Sequence, residues 1–304
     1  MILKGQNFRV CVPGSESGTY KVIGMATNCT ITLTNNVEEG THKDVVGMAS
    51  MPVTVSKAWS VSVDSLDVSD TAAILTAIKS MQPMTLFWNE TQTTDNQTWL
   101  GAEYPRTGQA YLSDCTFQFD NRTNSTKSLQ FTGASALDLQ SHITADCEPV
   151  TPVSFTKGQF VRLFLSSDNT AAPAAVVAAA RTLSLHVSLS MESATTKDTD
   201  GDYDIQEPTG ISYDISTGAL YKSNETITSS VGGKAYKDLE SIYATGTPVK
   251  WKIANTTGAN NRTASSTICS GSAVLTSLQL NAPNRSDCEY TAQLNGYGEL
   301  SVAA

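Results

Sequence analysis

One order of motifs is written twice along this chain, and that repetition limits the possible folds more than any other feature. Lys4-Gly5-Gln6, with Arg9 three residues on, returns as Lys157-Gly158-Gln159 with Arg162. Cys29-Thr30-Ile31-Thr32-Leu33 leads to Thr41-His42-Lys43-Asp44, and Leu183-Ser184-Leu185-His186-Val187 leads to Thr195-Thr196-Lys197-Asp198. Asn121-Arg122-Thr123 precedes Gln130-Phe131-Thr132-Gly133, and Asn284-Arg285-Ser286 precedes Gln293-Leu294-Asn295-Gly296 at the same spacing. A period of about 150 residues is too long for a solenoid unit and suits a complete domain. The expected organisation is a tandem duplication: copy one over 1–138, a linker over 139–154 with Pro149 and Pro152, and copy two over 155–304.

Each copy is long enough to bury a core of its own. Charged residues make up 16% of the chain, too few for a disordered polyelectrolyte. The net charge of −9 argues against gripping nucleic acid, because phosphate neutralisation needs a basic surface. An acidic surface can still surround DNA that passes without being held. Met1-Ile2-Leu3-Lys4 runs straight into the first motif, so no secretory leader is expected. The longest run of small apolar residues, Ala171 to Ala180, contains Pro173 and is far shorter than the roughly twenty residues a membrane helix needs.

Six cysteines stand at 11, 29, 115, 147, 269 and 288. Cys11, Cys29 and Cys115 align with Phe164, Leu183 and Leu278 of the other copy, which are apolar strand positions. They are expected to be free thiols serving as small hydrophobes. No Cys-x-x-Cys or Cys/His cluster suggests zinc. The many Asn-x-Ser/Thr sequons follow from a composition rich in Asn and Thr.

Period-two alternation fixes the element type. Cys29, Ile31 and Leu33 face one way and Thr30, Thr32 and Thr34 the other; Leu183, Leu185, Val187 and Leu189 alternate in the same way with Ser184, His186, Ser188 and Ser190. A first strand is expected over 8–12 in copy one and 161–165 in copy two. A polar connection follows the alternating strand, over 35–58 and 191–210, and is expected to order only on assembly. After a further strand, around 59–64 and 211–214, a helix is expected over 69–80, with Asp67, Ser69 or Asp70 as N-cap, and over 234–244. Strands over 84–88 and 249–253 each follow a proline. A closing hairpin flanks each Asn-Arg turn. Each copy is thus a mainly antiparallel β-sandwich or partial barrel with one α-helix and a long hairpin arm.

Chemistry is sparse. His42, His142 and His186 lie near no nucleophile motif, and no Gly-rich phosphate loop exists, so an enzyme is not expected. Asp198, Asp200 and Asp202 alternate like the first half of a calcium loop, but Tyr203 stands where that loop needs its sharp-turn glycine. No cofactor is implied.

The succession Leu183-Ser184-Leu185, Thr195-Thr196-Lys197-Asp198, an aromatic-containing strand ending in Asp, a helix, Thr247-Pro248-Val249 and the hairpin from Val274 to Pro283 resembles the major tail protein of long-tailed bacteriophages. The last strand, from Tyr290 through Gly296-Tyr297-Gly298-Glu299-Leu300, adds to the likeness. Copy one carries it through Thr41-His42-Lys43-Asp44, Trp59-Ser60-Val61-Ser62-Val63-Asp64 and Ala136-Leu137.

The resemblance implies a structural virion protein whose sheets join between neighbours into six-domain rings, stacked into the tail tube that conducts the genome. It implies an assembly arm that includes Thr41, Lys43, Asp44, Thr195, Lys197 and Asp198. The implied partners are further copies of the chain, the tape-measure, tail-terminator and distal tail proteins, and DNA passing through the lumen without sequence-specific binding. Assembly would take place in the bacterial cytoplasm. Two copies per chain then imply a trimer with pseudo-sixfold symmetry. Physical reasoning agrees: unpaired sheet edges associate, and like domains joined head to tail close into rings. The alternatives are the inner tube of a contractile injection machine and a secreted two-domain adhesin or glycan-binding sandwich.

Overall fold

The computed structural model describes residues 5–13, 20–40, 50–66, 70–90, 106–139, 147–148, 156–197, 202–222, 233–257 and 262–303. In the first half the elements are β1 (Phe8–Pro13), β2 (Tyr20–Val22), β3 (Ala26–Glu39), β4 (Pro52–Leu66), α1 (Thr71–Ser80), β5 (Met84–Glu90), β6 (Arg106–Gln118) and β7 (Thr126–Gly133). A short β8 (Cys147–Glu148) runs parallel to β2. The second half carries β9 (Val161–Leu165), β10 (Ala175–Val176), β11 (Ala180–Ser193), β12 (Gln206–Leu220), α2 (Tyr236–Thr245), β13 (Val249–Thr257), β14 (Thr263–Asn281) and β15 (Glu289–Val302).

The architecture is mainly β, and both halves wind the same path. The first orders its strands β2-β1-β5-β6-β7-β4-β3, and the second β10-β9-β13-β14-β15-β12-β11. The irregularities match as well as the order. β6 and β14 both break register against their hairpin partners, between Leu112 and Asp114 and between Leu275 and Ser277. β3 and β11 both do so at their starts, between Ala26 and Asn28 and between Ala180 and Thr182. Arg122 and Arg285, at the two Asn-Arg turns, both have left-handed backbone, with φ of 64° and 67°. These landmarks place Asp114 level with Ser277, Thr32 with His186, and Ser60 with Asp214.

One core serves both halves, because the sheet is continuous. Its apolar face is lined in the first half by Val61, Val63, Leu129, Phe131, Cys115 and Phe117, and in the second by Leu185, Val187, Ile215, Leu275 and Leu294. Each half packs an aromatic ring over a pair of glycines. A Cβ added to Gly133 would lie 2.5 Å from Trp59 Nε1, and one added to Gly296 would lie 2.7 Å from the Tyr213 ring. The polar ends of these rings find backbone carbonyls: Trp59 Nε1 donates to Ser135 O at 2.8 Å and the Tyr213 hydroxyl to Ser272 O at 2.7 Å.

The helices begin two residues later than the alternation suggests. Of the three candidate N-caps, Asp67 and Ser69 lie outside the described residues. Asp70 holds the position without capping through its side chain. Its carboxylate instead receives Lys127 Nζ at 2.6 Å, which pins the start of α1 to β7. In α2 Asp238 reaches back to accept from the Ala235 amide at 2.8 Å. Both helices end on a left-handed residue, Met81 and Gly246.

The connections read from sequence as irregular are largely hairpin stems. β3 and β4 stay paired out to Glu39 and Pro52, and β11 and β12 out to Ser193 and Gln206. The expectation of loops throughout 35–58 and 191–210 is therefore corrected. Apolar alternation lapses there, but backbone ladder bonds sustain the strands without a core behind them. Cys29 and Cys115 are free thiols, as expected, and so are Cys269 and Cys288. Burial pushes the Cys29 thiol up to about 11 and, with help from the Asp114 charge, the Cys115 thiol up to about 12.

Candidate assembly interface

The two halves meet strand to strand. β6 is long enough to serve two neighbours on one side: Arg106 to Ala110 pair with β5, and Asp114 to Gln118 pair with β11. The register sets Ser184 opposite Gln118, Leu185 opposite Phe117, His186 opposite Thr116, Val187 opposite Cys115 and Ser188 opposite Asp114. Leu185, Val187, Phe117 and Cys115 are buried on the core face. α1 lies across the seam, touching β6 of its own half and β11, β14 and β15 of the other.

On the polar face the seam is charged. His186 Nε2 lies 2.6 Å from Asp114 Oδ2 on β6, and His186 Nδ1 lies 2.8 Å from Asp214 Oδ1 on β12. Partial burial alone would lower the imidazole pKa. The hydrogen bonds to Asp214 and Asp114, and the charges of both, outweigh it and hold His186 above its ordinary 6.5. Protonated, the ring donates to both carboxylates and clasps three strands drawn from two halves.

Two further ion pairs cross the seam. Lys79 Nζ on α1 lies 2.5 Å from Glu299 Oε1 on β15. Lys57 Nζ on β4 lies 3.0 Å from Asp202 Oδ2 in the β11–β12 arm. Around Lys57 the arm docks by backbone too: Lys57 N donates to Asp202 O at 2.6 Å and Asp204 N to Lys57 O at 2.8 Å. The Asp204 carboxylate accepts from Asn36 Nδ2 at 3.0 Å and Ser56 Oγ at 2.8 Å. The second arm therefore rests on the stem of the first.

The sequence candidates distribute as follows. Thr41, Lys43, Asp44, Asp198 and Asp200 lie outside the described residues. Thr195 Oγ1 accepts from Ile205 N at 2.8 Å and closes the second arm. Lys197 is exposed at its tip. Asp202, the third acid of the calcium-like run, pairs with Lys57. Among the described residues no group of three or more His, Cys, Asp or Glu side chains is placed to hold a metal.

The seam has an unpaired counterpart at each end of the molecule. β3 matches β11 but pairs only with β4 among the described residues, and β14 past Ala273 matches the seam half of β6 but pairs only with β15. Leu33, level with buried Val187, is 60% exposed; Leu280, level with buried Phe117, is 42% exposed. Val37, Met51, Val53 and Val55 continue an exposed apolar strip along the first arm. On α2 Tyr243, next to buried Ile242, is 55% exposed. Sequence reasoning did not find this seam or the acids around His186. The readable signal was that Thr32 and Ser60 of copy one are matched by His186 and Asp214 of copy two, and Ser277 of copy two by Asp114 of copy one.

No protein-family profile matches the sequence, and no curated protein matches it. Solved structures do. The tail of an empty gene transfer agent particle, computed with C6 symmetry, matches at 14% identity with a TM-score of 0.37, over 48% of this chain and 96% of that chain. The virion of a native gene transfer agent particle matches at 14% identity with a TM-score of 0.36, over 49% and 99%. The SPP1 tail tube matches at 13% identity with a TM-score of 0.36, over 46% and 80%. All three are tail or virion structures. Among the described residues no helix is long and apolar enough to cross a membrane.

Proposed function

We propose that this chain is a structural subunit of a phage tail tube, two copies of one domain joined by the linker over 139–154, that polymerises through its sheet edges. The observation that carries the reading is the seam itself. A β3-type edge already pairs with a β6-type strand inside the chain, and the same two partners stand open at its ends. Joining chains by the same operation sets Thr30 opposite Asn281, Ile31 opposite Leu280, Thr32 opposite Gln279, Leu33 opposite Leu278 and Thr34 opposite Ser277. The exposed Leu33 and Leu280 would then be buried as Val187 and Phe117 are.

Repeated head-to-tail pairing closes a ring and leaves neither the β3 nor the β14 edge free. Three chains supply the six domains that the family resemblance implies. The face opposite the helices would line the channel. It presents Ser60, Ser62, Asp64, Asp114, Thr116, Gln130, Asp214 and Gln293, which are hydroxyls, amides and acids. An acidic, hydroxyl-rich wall repels phosphate and gives DNA nothing to grip. In this reading the rings stack in the virion tail, assemble in the host cytoplasm, meet the tape-measure, tail-terminator and distal tail proteins, and use no cofactor or catalysis. Electron microscopy of the concentrated protein tests it. Tubes that disappear in Leu33→Asp are the expected result, and a protein that stays monomeric at every concentration contradicts it.

A further inference from the structure

The internal seam and the open edges match in backbone but not in charge. Across the internal seam the first half contributes Asp114, Lys79 and Lys57, and the second answers with His186, Glu299 and Asp202. At the open edges the matching positions are uncharged. Ser277 stands for Asp114, Thr32 for His186 and Ser60 for Asp214. Tyr243 stands for Lys79, as fixed by the buried pairs Leu75/Ile78 and Leu239/Ile242. Ala136 stands for Glu299, each preceding a buried leucine, Leu137 and Leu300. Ile211 stands for Lys57, since Lys57 pairs with Asn35 and Ile211 with Leu189.

We infer that Asp114, His186 and Asp214, with the Lys79–Glu299 and Lys57–Asp202 pairs, form a charge code that makes the two copies alternate around the assembly. The inference rests on the sheet-edge assembly proposed above.

Its logic is a comparison of four possible seams. β11 on β6 satisfies every charge. β3 on β14 brings no charge from these positions. β3 on β6 sets Thr32 where His186 belongs and leaves Asp114 and Lys79 without partners. β11 on β14 sets Ser277 where Asp114 belongs and leaves Glu299 unmatched. Both seams between like copies therefore strand charges at a partly desolvated interface, while both seams between unlike copies strand none. Penalising the wrong pair is as effective for specificity as strengthening the right one. The code excludes a ring built from first copies alone, with second copies displaced outward.

Cysteine crosslinks in the full chain read the seams directly. Facing residues of an antiparallel pair lie within disulfide reach. In the otherwise native protein, Thr30→Cys with Asn281→Cys should crosslink chain to chain. Thr30→Cys with Gln118→Cys should not, because Ser184 occupies that place. Replacing every charge of the code by an uncharged residue (His186→Thr, Asp114→Ser, Asp214→Ser, Lys79→Ala, Glu299→Ala, Lys57→Ala, Asp202→Ala) should let the Thr30–Gln118 crosslink appear between chains. If the neutral chain still yields only Thr30–Asn281 crosslinks, the covalent connection alone orders the copies and the code is overturned.

A second series leaves the internal seam untouched. Ser277→Asp should raise the concentration needed for assembly about tenfold, the effect of one carboxylate without a partner. Adding Thr32→His and Ser60→Asp should restore it. Assembly of Ser277→Asp at the native concentration, or failure of the added pair to rescue, overturns the proposal. Absence of any crosslink between native chains would instead defeat the sheet-edge assembly on which it rests.

Discussion

Leu185 and Val187 on β11 and Ile31 and Leu33 on β3 belong to one kind of strand edge in two settings. On β11 the edge is closed by β6 and its side chains are buried; on β3 it is open and Leu33 is 60% exposed. Fully burying a side chain of this size is worth about 1.5–3 kcal/mol. The open edge thus holds association energy that the closed edge has already spent on folding. In the proposed assembly a neighbouring chain completes the fold. Inside the chain the second half is the neighbour of the first, and at both ends no described strand takes that place.

The sharpest way to break the comparison is to place the same charge on both edges. Val187→Asp buries a carboxylate against Cys115 and should destabilise the chain by about 3–5 kcal/mol in denaturant titration. Leu33→Asp, at the matched open position, should stay within about 0.5 kcal/mol of the parent in the same titration and abolish polymerisation. Equal loss of stability in both variants would mean that the two edges are not equivalent.

The next largest effect is common to both halves and serves as a control. Gly133→Ala drives a methyl group into Trp59, and Gly296→Ala drives one into Tyr213. Each should cost about 1–3 kcal/mol in thermal or chemical unfolding, whether or not chains assemble.

His186 sharpens the comparison through pH. Its folded pKa is raised, so its contribution is complete below the unfolded value near 6.5 and is lost as pH rises through the higher folded value. The groups facing it are Asp114 on β6 and Asp214 on β12, with Thr116 opposite. Thermal melts from about pH 6 to 9 should therefore fall for the native chain and be flatter for His186→Thr. Thr32, in the same place on the open edge, should add no such slope when mutated. The smallest effect belongs to Lys79→Ala. Its partner Glu299 is 76% exposed, so the melting temperature should change by no more than about 1 °C.

Much of this was legible locally and little of it globally. The alternation of Cys29, Ile31 and Leu33, and of Leu183, Leu185 and Val187, is a local signal and yields the mainly β fold. Leu75 and Ile78 give the helix for the same reason. The hairpin stems past Leu33 and Leu189 were hidden, because backbone bonds rather than apolar faces hold them. The seam was hidden by distance. β6 and β11 each read as an ordinary strand, and no local pattern says that Asp114 will meet a histidine 72 residues on. His186 read only as a polar-face residue, for without the register neither acid is its neighbour. The level of Asp214 is also set by the ladder rather than by the motifs. Motif order sets it beside Asp64, whereas the paired strands set it beside Ser60, because Trp59 and Tyr213 are the residues that share a place over the glycines.

The central claim is that an open β3 edge of one chain takes the open β14 edge of the next as β11 takes β6 within the chain. A reconstruction of the assembled protein, made without imposed symmetry, tests it most directly. The account predicts three chains per ring, six domains around the channel, alternating copies, and Leu33 facing Leu278 across every boundary between chains. Six chains per ring, with only first copies lining the channel, would contradict it.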